Sequence, residues 1–320
     1  MAAFRDQLLA AVNGVFGDYL VRTSNGLAIN CGFFFNGAPL PHDPNAWRTV
    51  YPNATGRVVI LVHGLMATER NWQNPAGATN PREDFGTRLA AEQGFTPLYV
   101  RYNSGQPIAD SGAQFASLLD DVCALYPVPI TELLLLGHSM GGLVIRAACY
   151  QGSHEGAAWL NVPTRAVYIG TPHRGAPFER LGRVTVRVLK AVNDPVTRAV
   201  ATVANLRSAG IQDLGDADLR HEDRARRRPM LQLRDGEHPV PLLPHIQHLL
   251  IAGALSDKAW ITALLGDAIV PLSSARYDGG VKANQVVTIT GIGHGVMLRD
   301  DRVYRAVADW LALTHKGNCI

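Results

Sequence analysis

The sequence predicts an α/β fold: a mostly parallel central sheet with helices on both faces. Three observations predict it. Short, apolar, β-branched runs recur along the chain; helical patterns fall between them; and of the 320 residues 47% are hydrophobic and 18% charged. An apolar run without polar alternation suits a strand buried on both faces of a parallel sheet. Strands separated by helices connect as crossovers in such a sheet. This much apolar material fills a large core, and α/β chains of this size are often one domain.

Residues 4–20 read as an amphipathic helix with Phe4, Leu8, Ala11, Val12 and Val15 on one face. Arg5, Asp6 and the interrupted apolar pattern argue against a secretion signal, and a cytoplasmic protein is the simplest expectation. The stretch 27–35 (LAINCGFFF) is expected as one or two antiparallel strands at the sheet edge, and the Pro-rich segment 38–54 as a loop. Val58 to Val62 is the first buried strand, and residues 83–92 look helical. Phe95 to Tyr102 is the next strand, and 109–125 the next helix, with Phe115, Leu118, Leu119 and Val122 at helical spacing. Leu133 to Leu136 is a third strand, a helix runs from Met140 to about Tyr150, and Ala166 to Ile169 makes a fourth strand.

The rhythm then breaks. From Phe178 to about Pro244 no strand is predicted, only two helical patterns and a charged, turn-rich middle. That is too long for an idle connection. Residues 178–244 are therefore expected to be a cap or lid inserted into one core, made of 1–177 and 245–320. Its first helix sets Arg180, Arg183, Arg187 and Lys190 against Leu181, Val184, Val188 and Val192; the second pattern carries Val196, Val200, Val203 and Leu206. Such a pair suits first a fixed cap with a solvated basic face, and second an apolar acyl pocket or a lid that opens at a lipid surface. The run Arg224, Arg226, Arg227, Arg228 follows Glu222 and Asp223 and reads as a solvated loop. Strands resume at Ile246 to Ala252 and Val286 to Ile289, and Val303 to Leu313 closes the chain as an amphipathic helix.

The formal net charge of +3 is small for this length and does not suggest a nucleic-acid binder. No stretch is apolar for long enough to span a bilayer. Cys31, Cys123, Cys149 and Cys319 show no metal-like spacing; Cys123 and Cys149 sit in helical patterns and read as small buried thiols.

The strongest chemical signal is Gly137-His138-Ser139-Met140-Gly141-Gly142, directly after the strand ELLLL and before the helix LVIRAA. A G-x-S-x-G match alone is modest evidence, but this context strengthens it. A sharp strand-to-helix turn lifts the serine hydroxyl out at the carboxyl end of the sheet, and flanking glycines leave room for the close approach. Ser139 is thus the candidate nucleophile, beside a helix N-terminus that favours developing negative charge. Val62-His63-Gly64-Leu65 follows the first buried strand. The backbone N–H groups of Leu65 and Met140 are the candidate oxyanion donors, and His63 reads as a structural hydrogen-bonder. The base must lie late in the chain. His294, in Gly291-Ile292-Gly293-His294-Gly295, follows the last strand, whereas His238, His245, His248 and His315 fit worse. For the acid, spacing favours Asp267 in Gly266-Asp267-Ala268-Ile269-Val270-Pro271 over Asp257, its serious rival, with Asp278 third. Gly170-Thr171-Pro172-His173-Arg174-Gly175 shapes a wall and receives no chemical role.

Taken in order, VHGL, GHSMGG, GTPHRGAP, GDAIVPLSS and GIGHGVML resemble the PGAP1-like and lipase-type branch of the α/β-hydrolases, over about residues 57–177 and 245–314. The resemblance implies the α/β-hydrolase fold and an esterase or lipase acting through a Ser–Asp–His triad. The nucleophile falls on Ser139, the acid on Asp267 and the histidine on His294, with the oxyanion donor after His-Gly on Leu65. It strengthens Asp267 over Asp257. The acid motif departs from the family pattern in carrying Ala268 where glycine is usual. No metal or organic cofactor is expected; the disulfide and calcium site of secreted relatives are not carried over. The expected partner is a small-molecule or lipid ester, with lipid-interface contact through the insert. An amidase, thioesterase or acyltransferase would share the same triad, and a non-catalytic binding protein on this scaffold is the remaining alternative.

Overall fold

The computed structural model describes residues 2–73, 84–176, 208–225, 240–258, 267–276 and 285–317. Its strands are β1 (Gly32–Phe35), β2 (Ala38–Pro39), β3 (Arg57–Val62), β4 (Thr96–Arg101), β5 (Glu132–His138), β6 (Thr164–Ile169), β7 (Gln247–Ala254) and β8 (Gln285–Thr290). They form one sheet in the order β2-β1-β4-β3-β5-β6-β7-β8. The neighbours from β4 through β8 pair in parallel, while β1 runs antiparallel to both β2 and β4.

The helices among the described residues are α1 (Ala2–Arg22), α2 (Pro44–Val50), α3 (Phe85–Gln93), α4 (Ile108–Leu125), α5 (Met140–Glu155), α6 (Ala209–Asp216), α7 (His221–Ala225), α8 (Leu272–Arg276) and α9 (Asp301–Gly317). Alternation along β3 explains the layering. Val58, Ile60 and Val62 point into a cluster with Phe115, Leu119 and Val122 of α4 and Val144 and Ile145 of α5. Val59 and Leu61 point the other way, to Leu89 of α3 and Val303, Val307 and Leu311 of α9. Both faces of the strand are covered, so an all-apolar run is required there.

Three expectations need correction. The segment 38–54 is more than a loop: it contains β2 and α2. Asp43 caps α2, its carboxylate accepting from the N–H groups of Asn45 and Ala46, Pro44 occupies the first turn, and Trp47 is buried. Proline at that position is pre-organised for a helix, so the Pro-rich composition marked a helix start rather than irregular chain. The edge strand is β2 rather than β1, because β1 also pairs with β4. Cys149 is buried as expected, but Cys123 is exposed, on the solvent side of α4. Cys319 lies outside the described residues.

α1 is tied to the sheet by a buried ionic cluster. Arg101 at the end of β4 donates to both carboxylate oxygens of Glu69 at 2.6 Å each and to Asp6 of α1 at 3.2 Å. Arg70 donates to the same Asp6 at 2.6 Å. Ala11 and Val15 of the predicted apolar face are buried, and so is Asn13, which joins the carbonyls of Leu9 and Leu27 to the N–H of Ile29.

Between β6 and β7, α6 and α7 are the helices among the described residues. α6 is docked by polar groups: the buried Asp213 carboxylate accepts from the N–H of Ile108 at 2.8 Å, satisfying one open donor at the start of α4. Arg146 of α5, itself buried, donates to the carbonyl of His173 on one side of this interval and to that of Val240 on the other. The amphipathic patterns on 180–192 and 196–206 lie outside the described residues, as do Arg226, Arg227 and Arg228.

Candidate active site

The loops after β3, β5, β6 and β7 meet at the carboxyl edge of the sheet, where open α/β folds bind their ligands. Ser139 stands between β5 and α5 with φ of 54° and ψ of −124°. A side chain in that region is strained by roughly 1–3 kcal/mol, which surrounding structure must compensate. The Ser139 N–H donates to the carbonyl of Ile169 on β6 at 2.8 Å, fixing the turn. The glycines explain themselves by the space around them. A Cβ on Gly141 would run into the carbonyl oxygens of Val62 and His63, and one on Gly142 into the hydroxyl of Thr171. A Cβ on Gly64 would sit 3.1 Å from that of Ser139, so the loop after β3 closes directly on the elbow.

His294 opens a short 3-10 helix, His294–Arg299, after β8. Its Nδ1 lies 2.7 Å from Oδ2 of Asp267, and its backbone N–H donates to the Asp267 carbonyl at 3.0 Å. The other carboxylate oxygen of Asp267 accepts from the N–H groups of Ile269 at 3.0 Å and Val270 at 2.8 Å. Burial would raise the Asp267 carboxyl, but the neighbouring imidazole and these N–H groups outweigh it and hold the group below its ordinary value. Ala268, the departure from the family pattern, has φ of 83°, a left-handed conformation that explains why glycine suits this position. Asp257 is exposed and lies on the loop beyond β7, where it contacts Ser256. Asp278 lies outside the described residues.

The imidazole of His294 lies at the elbow. The ring of His294 packs 4.8 Å from the ring of His138, the residue before Ser139, and His138 Nε2 lies 3.3 Å from the His294 carbonyl. Gly170, at φ of 58°, makes room for it: a Cβ there would stand 3.2 Å from Cε1 and Nδ1 of His294. Sequence reasoning did not mark His138 or Gly170 as supports for the imidazole, although both sit in motifs already singled out. Burial and the adjacent His294 lower the His138 ring to about 3, so it stays neutral.

Around Ser139 most backbone donors are committed. Met66 N–H goes to the Ser104 hydroxyl at 3.0 Å and Gly142 N–H to the Ser139 carbonyl at 3.1 Å. The N–H groups of Leu65 and Met140 have no acceptor among the described residues. Their side chains share a cluster with Ile108, Leu143, Leu214, Leu219 and Val240, which makes this wall of the site apolar. His63 is structural: Nδ1 donates to the Gly64 carbonyl at 2.9 Å, Nε2 accepts from the Tyr102 N–H at 3.2 Å, and burial lowers the ring to about 4.

A family model described as "Alpha/beta hydrolase family" matches residues 59–306. The chain belongs to the α/β-hydrolase family. Among solved structures, this α/β-hydrolase resembles the Bacillus licheniformis lipase BlEst2 in its propeptide form, with a TM-score of 0.52 and 17% identity over 80% of this chain. The mature form of that lipase gives a TM-score of 0.51 and 16% identity, again over 80% of this chain. The chain spans half of the propeptide-form chain and 91% of the mature one. At such identities the likeness is one of fold. No curated protein matches the sequence. The PGAP1-like branch therefore stands on the sequence motifs alone. Among the described residues of this α/β-hydrolase, no helix is long and apolar enough to cross a membrane, and no group of three or more His, Cys, Asp or Glu could hold a metal ion.

Proposed function

We propose that this α/β-hydrolase is a serine carboxylic ester hydrolase, an esterase or lipase, with Ser139 as nucleophile, His294 as general base and acid, and Asp267 as the residue that orients the imidazole. The observation that carries this reading is the 2.7 Å pair of His294 Nδ1 and Asp267 Oδ2, set beside a serine at positive φ. A carboxylate on Nδ1 leaves Nε2 as the free basic nitrogen. His294 Nε2 takes the Ser139 proton as the hydroxyl oxygen bonds to the ester carbonyl carbon. The N–H groups of Leu65 and Met140 receive the oxyanion. The tetrahedral species collapses with loss of the alcohol, which His294 protonates, leaving Ser139 acylated. Water, deprotonated by the same imidazole, then releases the acid and restores the hydroxyl.

The apolar wall around Leu65, Met140, Leu214 and Val240 favours an apolar acyl group over a charged one. In this reading residues 178–244 serve as a cap inserted into one core, 1–177 and 245–320, and the apolar positions of their sequence suit contact with a lipid ester. The test is direct. Ser139→Ala is expected to abolish turnover of nitrophenyl esters and labelling by a fluorophosphonate, with the folded state retained. Parental activity in that variant would refute the assignment. Nitroanilides and thioesters run beside acetyl to palmitoyl esters would separate amidase and thioesterase chemistry from ester hydrolysis.

A further inference from the structure

The loop that carries Leu65 is itself strained and externally held. Met66, the next residue, has φ of 56°, a conformation unfavourable for a side chain of its size. Two things hold it there. The Met66 N–H donates to the hydroxyl of the buried Ser104 at 3.0 Å, and the Met66 side chain packs with Ala11 and Val15 of α1 and Ile211 of α6. Ser104 is in turn fixed from two sides. Asn103 donates to the carbonyl of Gly17 on α1 at 3.2 Å, while the Gly105 carbonyl accepts from the N–H of Gly210 on α6 at 3.1 Å. α1 and α6 are bonded to each other as well, Ser208 to the Gly14 carbonyl at 2.7 Å and Ala209 N–H to Asp18 at 3.2 Å.

We propose that Ser104 is the positioning residue of the oxyanion site: its hydroxyl fixes the peptide after Leu65, and with it the direction of the Leu65 N–H. This rests on the ester-hydrolase reading above. An oxyanion donor works by being aimed before charge develops, and a donor free to rotate loses most of that benefit. The bond to Ser104 fixes a peptide that the positive φ of Met66 would otherwise release. α1 and α6 act through it, so residues distant from Ser139 set how well the transition state is held.

The test is Ser104→Ala against Ser104→Thr, which keeps a hydroxyl, with kcat expressed per active site counted by fluorophosphonate endpoint labelling. Ser104→Ala is expected to lower kcat on the order of tenfold with KM within about twofold. Binding of a trifluoromethyl ketone, which places an oxyanion in the same position, should weaken by the same factor. Ser104→Thr should recover both. Parental kcat and ketone affinity in Ser104→Ala would overturn the proposal, as would a folded Ser104→Thr as impaired as the alanine variant. Should Ser104→Ala fail to fold, Ser104→Cys, a weaker acceptor, replaces it: reduced kcat and ketone affinity support the proposal, and parental values overturn it. A parental protein with no ester turnover and no Ser139 label would instead defeat the underlying reading, which separates the two failures.

Discussion

His294 and Asp267, 27 positions apart in the chain, are joined by a 2.7 Å bond between Nδ1 and Oδ2, while the second oxygen of Asp267 is held by the N–H groups of Ile269 and Val270. The two carboxylate oxygens thus act separately, one anchoring the turn and the other meeting the imidazole. Asp267→Asn should therefore keep the turn but present the wrong partner to Nδ1. We expect kcat to fall by about 10⁴, with KM little changed. Asp257→Asn, on an exposed loop, should leave kcat within about twofold. Steady-state kinetics on both variants checks this, and the reverse pattern would move the acid to Asp257.

Gly141 faces backbone rather than a flexible side chain: a Cβ there would overlap the carbonyl oxygens of Val62 and His63. Those carbonyls end a central strand and cannot easily give way. Gly141→Ala is expected to cost about 3 kcal/mol of stability and to lose activity beyond that, because the elbow must shift away from β3. Urea denaturation with parallel kinetics would show it. A variant as stable as the parent would mean the elbow is looser than described.

Buried neutral histidines make stability fall with acid. Burial lowers His63 to about 4, His138 to about 3 and His248 to about 4, against 6.5 ordinarily. Between those values the unfolded chain binds more protons than the folded one, so stability rises with pH and is lost as pH falls below about 6.5. Each such ring contributes a slope of about 1.4 kcal/mol per pH unit inside its window. The urea midpoint should be nearly level above about pH 7 and drop steeply from about pH 6.5 to about pH 5. A midpoint that does not move over that interval would show that these rings are not held neutral.

Most of the sheet was legible because its code is local. Val58 to Val62 and Leu133 to Leu136 have no polar position, and a strand covered on both faces tolerates none, so β3 and β5 could be recognised without knowing their neighbours. α2 was missed because a lone Asp-Pro pair in Pro-rich chain reads equally as a turn; burial of Trp47, a tertiary event, selects the helix. Cys123 was misplaced because helical spacing does not say which side of α4 faces the core at its last turns.

The sequence by itself determined the alternation of buried strands and helices, and the elbow around Ser139, because apolar period and glycine placement act within a few residues. It also put a histidine, His294, directly after the last strand. Only the tertiary structure paired His294 with Asp267 rather than Asp257, seated His138 and Gly170 against the imidazole, and brought α1 and α6 to the loop beside Leu65. These relations join residues remote in the chain. They depend on distances and hydrogen-bond directions that arise once eight strands have fixed one edge, and no local pattern encodes them.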